Sequence, residues 1–295
     1  MPVRVYDGVV GSYNIRQIVS SDYKPDIKHA PFRVSGGIDP SEIIVLSGEP
    51  MATIETMDLA GMVAGLSATA GLVVNNGTIT IPLQQMASGG GFANNGSHYA
   101  LSAAYGLLIP TEISASQDSE AGVTAKMDLY IASSDGLTDP VAINAAQTLS
   151  SQVYVGSYSL GPAKINGTTI AGLRSWTYKF GIECQKRRFG GGVYPTLYGI
   201  NIMTRDPSIE LEFEDEASLD TFDHYSALNT TASVGARKNV DGGTRVADGS
   251  SAHFVATLTG GLQILAGVNA KGEENGSFTR TILGKTQAFS SASSL

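Results

Sequence analysis

Glu210, Glu212 and Glu214 alternate with Ile209, Leu211 and Phe213. A strand that buries the three apolar residues therefore lines up three carboxylates on its other face. Neighbouring members of such a row lie about 6.5–7 Å apart, a separation at which paired carboxyl groups can hydrolyse a glycosidic bond. That chemistry also needs stacking aromatics and an opposed polar cluster. The sequence offers no second cluster that must lie across from the row, so the row reads as an exposed charged face. The triplet Lys186-Arg187-Arg188 has the type to contact phosphate. A chain with 19 basic and 27 acidic residues, net −8, lacks the broad positive field of a nucleic-acid binder.

The remaining reactive residues do not assemble. His29, His98, His224 and His253 are scattered and show no zinc-ligand spacing. Gly284-Lys285-Thr286 resembles the end of a phosphate-binding loop, but the glycine required five positions earlier is Thr279. The glycine triplets 89–91 and 190–192 lack dinucleotide-loop spacing, and no serine occupies a G-x-S-x-G elbow. Cys184 is the single cysteine, which excludes an internal disulfide and fits synthesis in a reducing compartment. The expectation is a chain that is not an enzyme and holds no cofactor and no metal.

The elements that carry these residues are mostly strands. There are 35 glycines and only 16% charged residues, which with frequent Thr, Val, Ile and Tyr favours short strands and tight turns over helices. The run Trp176, Tyr178, Phe180, Ile182, Cys184 predicts one half-buried strand. Similar runs lie at 123–131, 209–213 and 252–258, with weaker ones at 42–46, 72–81, 152–158 and 278–283. Asn-Gly pairs at 76–77, 95–96, 166–167 and 275–276 supply hairpin turns; they also fit glycosylation sequons, a coincidence of turn and following Thr or Ser in a sequence whose first residues lack a secretory leader. Two short helices are expected, one capped by Thr56 and carrying Leu59, Met62, Val63 and Leu66, the other capped by Ser218 and carrying Leu219, Phe222 and Tyr225. Residues 59–74 are apolar but too short and interrupted to cross a bilayer, so no membrane contact is expected.

Charge is unevenly placed. Leu59 to Thr111 contains no Asp, Glu, Lys or Arg over fifty-three residues, a stretch expected to be covered partly by neighbouring subunits. Residues 174–188 carry five cations against Glu183, and 205–225 carry eight carboxylates against Arg205, a pair of opposed patches able to match head to tail. The predicted organisation is an N-terminal arm at 1–30, one β domain at 31–289 with a long insertion at about 67–118, and a frayed end at 290–295; residues 67–111 are expected to contain an interface hairpin or arm that orders mainly on assembly.

The order of segments resembles the tail tube (major tail) proteins of long-tailed bacteriophages and, more distantly, the tube proteins of contractile injection systems. The likeness lies in EPMATIETMDLAGMVAGL (49–66), in VYVGSYSLGPAKINGTTIAGLRSWTYKFGIEC (153–184) and in GGVYPTLYGINIMTRDPSIELEFED (191–215). It covers about 49–66 and 120–284 as a pattern of elements without an invariant motif. The resemblance implies a mainly β fold of two packed antiparallel sheets, sandwich- or barrel-like, with one or two short flanking helices. It also implies homo-oligomeric rings whose inner sheets join as a barrel and stack into a tube, contacts with other tail proteins, DNA passing non-specifically through the lumen, and a place in the virion tail after assembly in the host cytoplasm.

Within a tube, Glu210, Glu212 and Glu214 face either the lumen or the outside. The lumen is the expectation, because a weakly repulsive bore lets a polyanion pass where a basic one would hold it. In the other arrangement they stay on the outer surface or pair with Lys186, Arg187 and Arg188 of a neighbour. Competing readings are a glycan-binding or adhesive β-sandwich, for which the single tryptophan is poorly placed on a buried face, and another virion component such as a capsid or decoration protein.

Overall fold

Alternating burial along the chain produces strands in almost every described segment. The computed structural model describes residues 3–35, 38–65, 71–74, 78–86, 91–92, 98–119, 122–149, 153–189, 196–214, 229–239, 245–247, 249, 252–271, 274–292 and 295. The first half contains β1 (Val3–Val5), β2 (Gly8–Val10), β3 (Tyr13–Ile15), β4 (Ile18–Lys24), β5 (Ile27–Phe32), β6 (Glu42–Gly48) and β7 (Met51–Thr56), then helix α1 (Leu59–Gly65), then β8 (Leu72–Val74), β9 (Ile79–Gln85), β10 (His98–Ala103), β11 (Tyr105–Ser116), β12 (Val123–Ala132) and β13 (Ala142–Gln147). The second half contains β14 (Tyr158–Ile165), β15 (Thr168–Thr169), β16 (Leu173–Lys179), β17 (Ile182–Arg188), β18 (Leu197–Arg205), β19 (Ser208–Phe213), β20 (Thr230–Lys238), β21 (His253–Lys271), β22 (Glu274–Leu283) and β23 (Thr286–Ala292). The protein is thus mainly β, with several packed antiparallel sheets and, among the described residues, one short helix and no closed barrel in the monomer.

One strand joins two leaves. The first half of β21 pairs with β20 and β23, and its second half pairs with β22. Between the halves, Gly260 has φ +68°, and a Cβ on Gly261 would stand 2.2 Å from the Leu283 carbonyl oxygen, so side chains are excluded where the strand changes leaf. The larger leaf runs β21-β22-β19-β16-β11-β12-β7-β4, and the smaller runs β15-β14-β20-β21 with β23 on the other side of β21. A separate sheet, β13-β10-β9-β2-β3 with β1 on β9, contributes to the same apolar core. That core joins Ile54, Leu129, Trp176, Tyr178 and Leu211 of the large leaf to Val234, Phe254 and Leu258 of the small one and to Val10, Ile79 and Leu101 of the third sheet. An aromatic cluster of Tyr178, Phe180, Phe254 and Phe289 fills the seam, with ring centroids 5.1–6.1 Å apart.

Several local expectations change. The run 176–184 is two strands: Gly181 has φ +60°, and a Cβ there would lie 2.0 Å from the Asp206 carbonyl oxygen, so β16 and β17 part at this point and β17–β18 leaves the large leaf as a ribbon. The helix is capped by Asp58, whose Oδ1 accepts from the Gly61 amide at 2.7 Å, while Thr56 Oγ1 accepts from the Asp58 amide. Burial lifts the Asp58 carboxyl above its usual pKa, against the opposing bond from Gly61. Asn166 and Gly167 form the hairpin turn with φ +49° and +82°, as the pair predicts. Asn275 and Gly276 instead lie in β22, past the turn.

The pairs 76–77 and 95–96, the triplet 190–192, two residues of the triplet 89–91 and the helix beginning at Ser218 lie outside the described residues. Residues 1–30 contribute Val10, Tyr13 and Ile15 to the core, and 290–292 belong to β23. Much of the uncharged stretch is covered by the chain itself: Leu59, Met62, Val74, Ile79, Ile81, Leu101, Leu107 and Leu108 are all buried. Among the described residues, no helix is long and apolar enough to cross a membrane.

Candidate assembly interface

The large leaf has one face in the core and a charged face opposite. Ile209, Leu211 and Phe213 are buried, and register with β16 places Glu210 and Glu212 opposite Thr177 and Ser175. The row does not stand alone. Lys179 Nζ donates to Glu210 Oε1 at 2.6 Å, Ser175 Oγ donates to Glu212 Oε2 at 3.1 Å, and the Arg174 guanidinium meets Glu214. The cations come from the neighbouring strand of the same subunit.

Charges continue across the leaf in alternating sign. Lys179 lies opposite Glu112, Glu112 opposite Lys126, and Lys126 opposite Glu55. Lys126 Nζ donates to Glu112 Oε1 at 2.6 Å, a bond that raises the Lys126 pKa, and Ser20 Oγ donates to Glu55 Oε2 at 3.2 Å. Thr53 Oγ1 adds a bond to Asp128 at 2.9 Å. From Glu55 to Glu214 this face holds six carboxylates (Glu55, Glu112, Asp128, Glu210, Glu212, Glu214) against three cations (Lys126, Arg174, Lys179), a weakly acidic, internally paired surface. Each exposed pair contributes little to stability; their collective effect is to make this face water-compatible over its length.

The basic triplet divides by strand periodicity. Lys186 and Arg188 point to one side of β17 and grip Glu49, with Lys186 Nζ 2.8 Å from Glu49 Oε2 and the Arg188 guanidinium on Glu49 Oε1. The Glu49 side chain is only 9% exposed. Arg187 points to the other side, where the Asn201 amide oxygen, in the orientation that hydrogen bonding requires, accepts from its Nη2 at 2.9 Å and Nε at 3.2 Å. Lys186 also stands 5.0 Å above the Tyr130 ring. The triplet therefore ties β17–β18 to the end of β6 within one subunit. No signal near Glu49 announces this, because its partners are over a hundred residues away.

Among the described residues, both ends of the large leaf are open. β4 pairs only with β7, and residues 262–271 of β21 pair only with β22 among the described residues. Open edges present unpaired N–H and C=O groups that another chain can complete. At the β21 edge, the charged face turns apolar: Leu262, Ile264 and Leu283 are each 42% exposed. At the β4 edge the chain continues into the two-stranded ribbon β5–β6.

A cleft of about 530 Å³ lies between β10, β13 and the loop after β12, lined by Ser102, Tyr105, Ser133, Thr138, Asp139 and Asn144 among others. Asn144 Nδ2 bonds Ser102 Oγ at 2.6 Å, and Ser133 Oγ is engaged with Asp135 and Thr138, so these hydroxyls are held by their neighbours. Asp135 accepts from the amides of Leu137 and Thr138, which lower its pKa to about 2. Among the described residues, no three His, Cys, Asp or Glu side chains are grouped so that they could hold a metal ion. The chain matches no family model and no curated protein sequence.

Proposed function

We propose that this chain is a self-assembling structural subunit of a bacteriophage tail tube, in which rings of subunits stack around a channel for DNA. The observation that carries the reading is the large leaf, buried on one face, lined by paired charges on the other, and open at both edges. Joining the β4 edge of one copy to the β21 edge of the next completes both sets of backbone bonds and continues the charged face beyond the apolar strip Leu262, Ile264 and Leu283. Closed into a ring with that face inward, Glu210, Glu212 and Glu214 line the lumen, and the excess of carboxylates over cations leaves it without a basic site to retain DNA.

An adhesive β-sandwich would display stacking aromatics; Trp176, 1% exposed, does not serve, and that reading would rest on the exposed Tyr99, Tyr154 and Tyr198. Sedimentation with negative-stain microscopy tests the proposal: rings or tubes of uniform bore support it. A species that stays monomeric at every concentration overturns it, closed shells point to a capsid role, and binding on a glycan array to an adhesin.

A further inference from the structure

A cavity of about 190 Å³ sits where three connections meet: the β4–β5 link, the β6–β7 link and the loop between β12 and β13. Pro25, Pro50 and Pro140 come from one connection each, and Val141, Ile27 and Val45 complete the apolar wall. Proline brings a rigid apolar ring and no N–H, so at these places the wall presents no backbone donor that needs water. The walls are fixed without an occupant. The Pro50 carbonyl accepts from the Ile131 amide at 3.0 Å, a parallel bridge joins Gly48 to Thr196, and the intervening Glu49 is gripped by Lys186 and Arg188. An empty apolar cavity forfeits contact energy, and one of about 150 Å³ is large enough to take a benzene ring.

Three polar side chains interrupt this lining. Thr196 is 3% exposed, and its Oγ1 has no hydrogen-bond partner among the described residues. A buried hydroxyl left unpaired is a cost that a polar group inside the cavity removes. Asp139 is the charged member of the lining; its Oδ1 accepts from the Val141 amide at 3.0 Å, and Oδ2 is bonded to none of the described residues. Tyr23 supplies an aromatic face, and its pKa is raised by burial and then by the nearby Asp139 charge. We propose that the cavity is a binding site for a small aralkyl ammonium, one ring on a short chain that ends in a protonated amine. The ring fills the proline-walled space, while the ammonium donates to Asp139 and to Thr196 Oγ1 beside the Tyr23 ring. An anionic ligand of the same shape meets the Asp139 charge with repulsion, and a purely apolar one leaves Thr196 unpaired. The site lies within one subunit, so it does not depend on the assembly proposed above.

Phenethylamine is the probe, titrated into the free subunit at neutral pH and followed through the backbone amide signals of Val141 and Thr196. Saturable shifts at both are expected. 2-Phenylethanol and phenylacetate keep the ring and replace the ammonium, and each should bind about tenfold more weakly or worse, the scale of one charge-assisted hydrogen bond. Asp139→Asn keeps an acceptor for the Val141 amide, so it should weaken phenethylamine about tenfold and leave 2-phenylethanol unchanged. Gly48 lines the cavity opposite Ile27, and a Cβ added to it meets nothing within 4 Å, so Gly48→Leu should fold with native Trp176 emission and block the probe. The site is overturned if millimolar phenethylamine shifts neither amide, if alcohol and amine bind equally, or if Asp139→Asn or Gly48→Leu binds the amine as the unaltered chain does. A subunit that binds the amine in this pattern yet never assembles keeps the site and loses the tube reading.

Discussion

Removing Glu49 should cost less than removing the two cations that hold it. The Glu49 side chain is 9% exposed, whereas Lys186 and Arg188 are 35% and 50% exposed. Glu49→Gln leaves two long cationic side chains that can turn outward and rehydrate, so the loss is limited to their bonds, about 1–2 kcal/mol after screening. Lys186→Met with Arg188→Met leaves a carboxylate buried without compensation, which costs about 3–5 kcal/mol. Adding Glu49→Gln to that pair removes the stranded charge and should recover about 2 kcal/mol, a coupling that identifies the three groups as one unit. Urea unfolding followed through the emission of the single, buried Trp176 measures all four proteins. Equal losses for Glu49→Gln and the double cation variant, or no recovery in the triple variant, would refute the desolvation reasoning and leave the clamp as an ordinary surface contact.

Gly61→Ala should destabilise by about 1 kcal/mol despite alanine's better helix propensity, because the new Cβ would stand 2.2 Å from Asp58 Oδ2 and evict the cap; a thermal melt showing increased stability refutes the cap assignment. At Gly181, alanine meets both a φ of +60° and the Asp206 carbonyl, so loss of about 1–3 kcal/mol is expected, and an unchanged urea midpoint would show that the kink is not glycine-dependent. Asp135 has a lowered pKa, so its bonds to Leu137 and Thr138 contribute stability fully present above the ordinary value of 3.8 and lost as pH falls through about 2. The amide shifts of Leu137 and Thr138 should titrate with a midpoint near 2, and a midpoint near 3.8 contradicts this.

Period-two patterning made the core legible. Trp176, Tyr178 and Phe180, and Ile209, Leu211 and Phe213, are buried as alternation requires. What patterning could not show is the meeting of distant backbones. Gly181 breaks its strand because the Asp206 carbonyl comes within reach of a Cβ, a fact invisible in a run of alternating residues. The same limit hid the partners of the charged residues. Lys179 and Arg174 reach the carboxylate row because β16 lies beside β19, and Lys186 and Arg188 reach Glu49 because β17–β18 folds back.

Many described apolar residues of the uncharged stretch 59–111 lie in the subunit's own core, whereas one cluster of exposed apolar side chains lies at 27–46, where Lys28, Arg33, Asp39 and Glu42 are interspersed and no long uncharged run forms. Exposure of the ribbon is a property of topology: among the described residues β5 and β6 pair only with each other, apart from the bridge from Gly48 to Thr196 at the root.

The aromatic seam has a kinetic consequence. Phe289 meets Phe254, 35 residues away, and Tyr178 and Phe180, 111 and 109 residues away, only after these chain segments have closed on one another. Loop closure is lost entropy that these contacts repay late, so the two leaves are expected to dock slowly relative to formation of the local hairpins. During that interval the β4 and β21 edges and the apolar ribbon are already present in a chain that has not yet fixed their relative directions. Premature pairing between such intermediates gives irregular aggregates, so the yield of regular particles should fall with protein concentration during refolding and rise when refolding is completed in dilute solution before concentration.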